Sequence, residues 1–172
     1  MICNSVDGFT LEQIRIICFP AVVCCRGLSR LPNEIVRYEF LPPNPEDFVR
    51  IRAECGWGEI TLDAAVKALS GSVIDLTCFV GAELVGMGRV VGDGALYFYL
   101  QDIIVVPEHR GQGLGRQIVS RLTDEAMARA QIGATIGLMS AKGKEGFYER
   151  FGFQERPNHQ LGAGMSRFVL LK

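Results

Sequence analysis

The chain has 172 residues, a formal net charge of -1 at pH 7 and a hydrophobic content of 48%. This length suits one domain with a single hydrophobic core and is too short for two ordinary domains. The balanced charge gives no electrostatic reason to expect a nucleic-acid partner, and no run reaches the roughly eighteen apolar residues that would span a bilayer.

Residues 1–33 are predicted to be an N-terminal extension of uncertain structure. The apolar stretch over residues 14–25 lacks a basic segment before it, is interrupted by Arg15 and has no small residues of the cleavage type. It is therefore not predicted to be a signal peptide. A packed element, an extension specific to this chain and a disordered segment all remain open.

Cysteine and histidine are the residue types from which a metal site or a disulfide framework would be built. The chain has 6 cysteines and 2 histidines, without a Cys-x-x-Cys pair and with most of the cysteines near the N-terminus. This distribution predicts no metal site and indicates a reducing compartment, taken here as the cytoplasm. The residues concerned are Cys3, Cys18, Cys24, Cys25, Cys55, Cys78, His109 and His159.

The first predicted elements after the extension are a strand and two helices. Apolar and charged residues alternate over residues 34–40, which predicts a strand. Asn44 is the predicted cap of a helix that begins at Pro45 and ends near residue 55. After a loop at residues 56–58, Thr61 opens a second helix that ends near residue 70.

An antiparallel meander follows, and strands then alternate with helices. Glycine-containing turns at Gly81 and Gly92 separate three predicted strands, which cover residues 73–80, 84–91 and 95–106. The remaining predicted elements are a long helix over residues 113–130, a strand over 132–139, a helix over 144–151 and a last strand over 165–170. This order is typical of an α+β sheet protein.

The most informative motif lies between the last strand of the meander and the long helix. The strand breaks at Pro107, and the chain then runs Arg110-Gly111-Gln112-Gly113-Leu114-Gly115. Glycines at alternate positions remove Cβ atoms at the turn, so the backbone can approach a ligand and direct unpaired N–H groups at it. Because a helix start carries partial positive charge, the motif predicts a phosphate site.

Two common phosphate-binding motifs do not fit this segment. A Walker A loop has Lys-Ser or Lys-Thr after its last glycine, whereas Gly115 is followed by Arg116 and Gln117. A Rossmann fingerprint needs a third glycine, where this chain has Arg116. It also needs an acidic residue at the end of the following strand, about twenty positions further on, which this chain lacks.

The pattern Arg-x-x-Gly-x-Gly after a Val-Val-Pro strand end resembles the acyl-coenzyme A signature of the GNAT superfamily of N-acetyltransferases. A second stretch, residues 146–153, resembles the other marker of that superfamily, a helix that carries a tyrosine and ends in Gly-Phe. Its local physics agrees, because Phe147 and Phe151 lie on one helical face and Gly152 can take the left-handed conformation that stops a helix.

The resemblance extends over residues 34–172 and implies the fold and the co-substrate. The implied fold is α+β, with a mixed, mainly antiparallel central sheet, helices on both faces and a splayed central strand pair. The implied co-substrate is acetyl-coenzyme A, and no metal is implied. The residues that would contact acetyl-coenzyme A lie at the end of the strand before Pro107 and in the glycine turn. They are Ile104, Val105, Val106, Arg110, Gly111, Gln112, Gly113, Leu114, Gly115 and Arg116.

The implied reaction is direct transfer of the acetyl group to an amine, without a covalent enzyme intermediate. By match to the family motif, Tyr148 is the predicted acid that protonates the departing thiolate. Many family members place a glutamate base where this chain has Gln101, so Asp102 is the predicted base and a water chain is the alternative. A strand N–H near Val105 is the predicted donor to the thioester oxygen.

The geometry of a regular strand limits this choice of base. Neighbouring strand residues point to opposite faces, so Gln101 and Asp102 can face one cleft only if a bulge rotates them.

Aromatic residues are predicted to form the site that binds the acceptor amine. Trp57 lies between two glycines in a loop that borders the acceptor cleft in this fold, and Tyr97 and Tyr99 share one face at the start of the central strand. Such rings would attract a cationic or arylalkyl amine by cation–π interaction.

These observations predict an N-acetyltransferase that acts on a small primary amine. Two alternatives remain open: acetylation of a protein or peptide, and an acyl-coenzyme A sensor without turnover, which the absent glutamate at Gln101 allows. An esterase or protease is disfavoured because the chain lacks Gly-x-Ser-x-Gly. Homodimers are common in the superfamily, and the sequence identifies no interface.

Overall fold

Residues 35–167 are described in the computed structural model. The predicted extension over residues 1–33 and the end of the predicted last strand lie outside the described residues. Residues 165–167, where that last strand was predicted to begin, have no regular secondary structure.

A five-stranded sheet forms the centre of the fold, with the strands in sequence order. The first four strands pair antiparallel, and the last pair is parallel. The prediction of a mixed, mainly antiparallel sheet is therefore confirmed. The strands are β1 (Val36–Glu39), β2 (Ser72–Val80), β3 (Glu83–Gly92), β4 (Tyr97–Val105) and β5 (Thr135–Gly137).

Two short helices separate β1 from β2, and both begin where local capping predicts. Helix α1 (Pro45–Glu54) starts after Asn44, whose side chain accepts a hydrogen bond from the Glu46 amide. Helix α2 (Leu62–Ser70) starts after Thr61, which caps the Ala64 amide in the same way. Each bond satisfies one of the amides that a helix start leaves without a partner.

The long helix α3 (Leu114–Arg129) packs against the opposite face of the sheet from α1 and α2. A Cβ on Gly88 of β3 would lie 2.7 Å from a Leu122 methyl group of α3. The neighbouring Arg89 instead donates to the Ala68 carbonyl of α2 at 2.7 Å. Because successive strand residues point to opposite faces, the helices cover both faces, as predicted.

The last helical segment covers residues 145–151, close to the predicted 144–151, but its second half is wound more tightly than an α-helix. Helix α4 (Glu145–Tyr148) continues into a 3₁₀ turn over Glu149–Phe151. Gly152 ends it with φ 85°, the left-handed conformation expected there.

Strand β5 is shorter than predicted, with three residues in place of the eight over 132–139. Strand β5 pairs with β4 only at Tyr97–Tyr99 of β4, and the two strands separate beyond these residues. Residues 138–141 do not continue the pairing with β4 and line a cavity instead. This separation is the splayed central strand pair that was predicted.

A bulge interrupts the opposite edge of β4. Gln101 pairs with Arg89 and Ile104 pairs with Met87, so Asp102 and Ile103 together face the single residue Gly88. Asp102 has φ 51°, the one positive value among non-glycine residues in the described part of the chain. The extra residue rotates the strand, as a bulge does.

No helix among residues 35–167 is long and apolar enough to cross a membrane.

Candidate active site

A cavity of about 930 Å³ opens where β4 and the chain after β5 separate. Residues 100–105 of β4 form one wall, and residues 138–141 with one face of α4 form the other. The glycine turn and the start of α3 close one end, and Trp57 lies at its margin.

The backbone of Val105 is directed into this cavity. The Val106 amide donates to the Val85 carbonyl of β3 at 2.9 Å, so the peptide groups of Val105 point to the other edge of the strand. The Val105 carbonyl accordingly accepts from Arg110 Nε at 2.9 Å on the cavity side. The Val105 N–H points to the same edge of β4 as its carbonyl, away from β3.

The glycine turn takes the conformation that the motif requires. Gly111 has φ 76° and Gly113 has φ 83°, both in the left-handed region that favours glycine. A Cβ at either position would meet nothing within 4 Å. The requirement for glycine therefore comes from the backbone conformation and not from crowding.

The start of α3 differs from the starts of α1 and α2. It has no side-chain cap and no acidic residue in its first turn, where it carries Arg116. Both α1 and α2 have a capping side chain and acidic first turns. Since the first amides of a helix have no partner within it, α3 presents unsatisfied N–H groups and positive charge to the cavity.

The charged side chains around the cavity are mainly basic. Arg110, Arg116, Lys144 and Arg150 line it, and among the described lining residues Asp102 supplies the carboxylate. The diphosphate and ribose phosphate of coenzyme A are anionic groups that such a wall would attract. The residues present therefore fit this co-substrate.

Most of the predicted cofactor residues are brought together here. Ile104, Val105, Arg110 and residues 111 and 113–116 line the cavity. Val106 is 3% exposed and lies behind the wall. Gln112 donates to the Glu108 carbonyl at 3.4 Å and lies outside the lining.

Tyr148 lies on the cavity wall opposite β4. Its ring makes edge contacts with Phe147 at 5.0 Å and with Phe153 at 6.2 Å between ring centroids. Burial raises the pKa of the Tyr148 hydroxyl above its usual 10.0. The hydroxyl is therefore protonated at neutral pH and able to donate a proton.

Asp102 also lies on the wall, but its carboxylate is already bound. One oxygen accepts from Arg52 Nη1 at 2.5 Å and the other from Arg89 Nε at 2.6 Å. The side chain is completely buried between these guanidinium groups. The bulge brings both Gln101 and Asp102 to the cavity, which a regular strand would not do.

The predicted acceptor residues are only partly brought together. Trp57 lines the cavity and is 43% exposed. Tyr97 is 65% exposed and, like Tyr99, lies outside the lining. Burial raises the pKa of the Tyr99 hydroxyl, which is bonded to the Met139 backbone. Both tyrosines precede the point where the strands separate, which explains why neither lines the cavity.

Three residues that sequence reasoning did not single out contribute to the site. Arg52 and Arg89 bind Asp102, and Cys55 lies with Sγ 3.7 Å from the Val105 carbonyl and 3.3 Å from Arg110 Nη2. One signal was visible, since Arg89 is a single charge within an otherwise apolar strand interior. Among residues 35–167, no group of three or more metal-ligating side chains lies together.

Comparison with known proteins gives a consistent result. Residues 75–155, from β2 through α4 and beyond, match the family described as acetyltransferase (GNAT) domain. A solved structure of a GNAT family acetyltransferase from Streptococcus pneumoniae superposes with a TM-score of 0.61 and 27% identity, covering 78% of this chain and 97% of that one.

Two curated relatives are similar over shorter stretches. GCN5-related N-acetyltransferase 2, chloroplastic, of Arabidopsis thaliana is 36% identical over 44% of this chain and 28% of its own length. Thialysine N-epsilon-acetyltransferase of Bos taurus is 31% identical over 60% of this chain and 62% of its own length. The chain therefore spans less than two thirds of the curated relatives it matches.

Proposed function

We propose that this chain, whose residues 75–155 match the acetyltransferase (GNAT) domain family, is an acetyltransferase of that superfamily and transfers an acetyl group from acetyl-coenzyme A to a primary amine. The observation that carries the proposal is the cavity between the separated strands, closed at one end by the uncapped start of α3. Its basic wall supports binding of the phosphates, and the free edge of β4 supports binding of the thioester arm.

The chemistry follows from groups on the two walls. The amine nitrogen attacks the thioester carbonyl carbon, a carbon–nitrogen bond forms, and negative charge develops on the carbonyl oxygen. The Val105 N–H would donate to that oxygen, because it points away from β3, to the edge of β4 that borders the cavity. When the carbon–sulfur bond breaks, the Tyr148 hydroxyl would give its proton to the thiolate.

The amine must also lose a proton. A primary alkyl amine has a pKa near 10.4, so roughly 4 kcal/mol separates its neutral form from the protonated form at neutral pH. Both oxygens of Asp102 already accept from guanidinium groups, which argues against this residue as the acceptor of that proton. We therefore favour the alternative route, in which water in the open cavity accepts the proton.

A small amine is the favoured acceptor. The bovine relative is named for acetylation of thialysine, a small molecule with a side-chain amine, and Trp57 offers an aromatic face at the cavity margin. A protein or peptide amine and a sensor without turnover are the competing outcomes of the test below.

Thiol release measured with acetyl-coenzyme A and a panel of amines tests this proposal. The panel pairs small primary amines and amino acids bearing side-chain amines with peptides that present a free N-terminus or a lysine. We expect release of free coenzyme A and a product 42 mass units heavier than a small amine. Turnover with peptides alone would redirect the proposal to a protein acetyltransferase, and binding of acetyl-coenzyme A without thiol release from any amine would identify a sensor.

A further inference from the structure

The bulge in β4 contains a carboxylate that belongs to a cluster of charges, and the proposed chemistry does not use this cluster. Asp102 occupies the bulge with φ 51°, a conformation that L-residues other than glycine, asparagine and aspartate rarely adopt. Such a conformation persists only where the surrounding structure fixes it. The contacts that could fix it are those of the Asp102 carboxylate.

We propose that Asp102, Arg52 and Arg89 form a positioning cluster that holds the bulge and thereby aims the Val105 N–H at the reacting carbonyl. The inference rests on the proposed acetyl transfer and adds residues to it. It assigns Asp102 to positioning in place of proton transfer.

The cluster connects three elements to the bulge. Arg52 of α1 donates to Asp102 at 2.5 Å, and Arg89 of β3 donates to the other oxygen at 2.6 Å. Arg89 also donates from Nη1 to the carbonyl of Ala68, near the end of α2, at 2.7 Å. Because the carboxylate is completely buried, water does not compete with these bonds, and removing the charge would leave two guanidinium groups without their partner.

The bulge in turn fixes what the rest of β4 presents. Asp102 and Ile103 together face Gly88, and the ladder resumes only at Ile104. If β4 paired with β3 without the bulge, its register after Gln101 would shift by one position. The peptide groups of Val105 would then turn away from the cavity. The orientation of the predicted oxyanion donor therefore depends on the bulge.

The same cluster reaches the acceptor side. The Arg52 guanidinium lies over the Trp57 ring at 5.6 Å and over the Phe48 ring at 5.5 Å. Arg52 itself does not appear among the residues that line the cavity. An effect of Arg52 on turnover would therefore act through Asp102 and Trp57.

The test compares Asp102→Asn with Asp124→Asn in two classes of acceptor. Asp124 is exposed on α3, which packs on the opposite face of the sheet from α1 and α2, and it lies outside the cavity lining, so Asp124→Asn removes a carboxylate and should leave turnover unchanged. For Asp102→Asn we expect kcat to fall roughly tenfold to a hundredfold, with the KM for acetyl-coenzyme A little changed. The same loss should occur with an alkyl amine and with a weakly basic amine that is already neutral at the assay pH.

A base would give a different pattern. If Asp102 accepted the proton, its loss would matter for the alkyl amine and disappear for the neutral amine, or on raising the pH. That result would overturn the proposal. Arg52→Gln provides a second variant, because Arg52 is partly exposed and its loss is easier for the fold to tolerate. It should lower kcat with both amines, Arg52→Lys should restore part of the rate, and an unchanged rate in Arg52→Gln would also overturn the proposal.

A readout without turnover separates this inference from the proposed function. Amide hydrogen exchange over residues 101–105 of the ligand-free protein should speed up in Asp102→Asn and in Arg52→Gln, and stay as in the unmodified protein in Asp124→Asn. Unchanged exchange in the first two variants would overturn the cluster even if acetyl transfer is observed. Faster exchange in a protein that releases no thiol would support the cluster while the proposed function fails.

Discussion

Tyr148 combines a partly buried hydroxyl with a place on the cavity wall facing β4. Its ring is held by edge contacts to Phe147 and Phe153, so removing the hydroxyl alone should leave the wall intact. Tyr148→Phe is therefore expected to bind coenzyme A normally and to lower kcat by about 10²-fold, the lower range for loss of a general acid. Steady-state kinetics with calorimetric binding would check this, and an unchanged kcat would remove Tyr148 from the role of acid.

The pH dependence of Tyr148 has a definite sign. The hydroxyl must be protonated to act, and burial raises its pKa above the usual 10.0. Activity that depends on it is present at low and neutral pH and is lost only as the pH rises through that raised value. The alkaline limb of the kcat profile should accordingly lie above pH 10.0 and be absent from Tyr148→Phe.

Asp102 illustrates which residue properties a sequence conveys. Its place beside Gln101 and its carboxylate suggested a base, and the need for a bulge was foreseen. Its partners were not, because Arg52 and Arg89 lie 50 and 13 positions away in the chain. A local pattern carries no record of such pairs, and they change what the carboxylate can do.

At the scale of elements, we propose that the uncapped start of α3 binds the phosphates of coenzyme A. Gly113→Glu is expected to abolish binding of coenzyme A. The new side chain would enter the space beside the first turn, and its negative charge would repel the phosphates. Gly133→Glu is the matched control, since Gly133 also has a positive φ, 87°, and open space around it, but lies outside the cavity lining. Both variants should lose about 1 kcal/mol of stability from backbone strain.

Calorimetric titration with coenzyme A distinguishes the two variants. Heat of binding should vanish in Gly113→Glu and persist in Gly133→Glu. Equal affinities in the two variants would mean that the first turn of α3 does not contact the ligand.

The packing of α3 on β3 depends on a second glycine. A Cβ on Gly88 would lie 2.7 Å from methyl groups of Ile103 and Leu122, and 2.8 Å from Ile118. Gly88→Ala should therefore destabilise the protein by about 1–3 kcal/mol, the cost of overpacking a core. Gly137→Ala in β5, where a Cβ meets nothing within 4 Å, is the control and should change stability little. Urea denaturation would measure both, and equal stabilities would contradict the close approach of α3 to β3.

The elements differ in how far the sequence determines them. Asn44 and Thr61 start α1 and α2 where predicted, because each cap bonds to an amide two or three positions away. The end of β5 was predicted too late, because a strand needs a partner and β4 turns away after Tyr99. Hydrophobic pattern alone cannot report that separation.

Across the whole molecule, the order of elements and the two motifs were sufficient to predict the fold and the family whose model matches residues 75–155. The glycine turn and the end of β4 meet at one cavity, as a phosphate site followed by a thioester site requires. The acceptor end could not be predicted as well. Tyr97 and Tyr99 share a face of β4, but the point where the strands separate leaves them outside the cavity lining, and a sequence does not fix that point.

The central claim is that the turn over residues 111–115 and the start of α3 bind the diphosphate of coenzyme A. Calorimetric titration of the unmodified protein with coenzyme A and with pantetheine, which has the same thiol arm and no diphosphate, tests it most directly. We expect coenzyme A to bind at least about a hundredfold more tightly, which corresponds to roughly 2.7 kcal/mol. Equal binding of the two ligands, or no heat with coenzyme A, would contradict the claim.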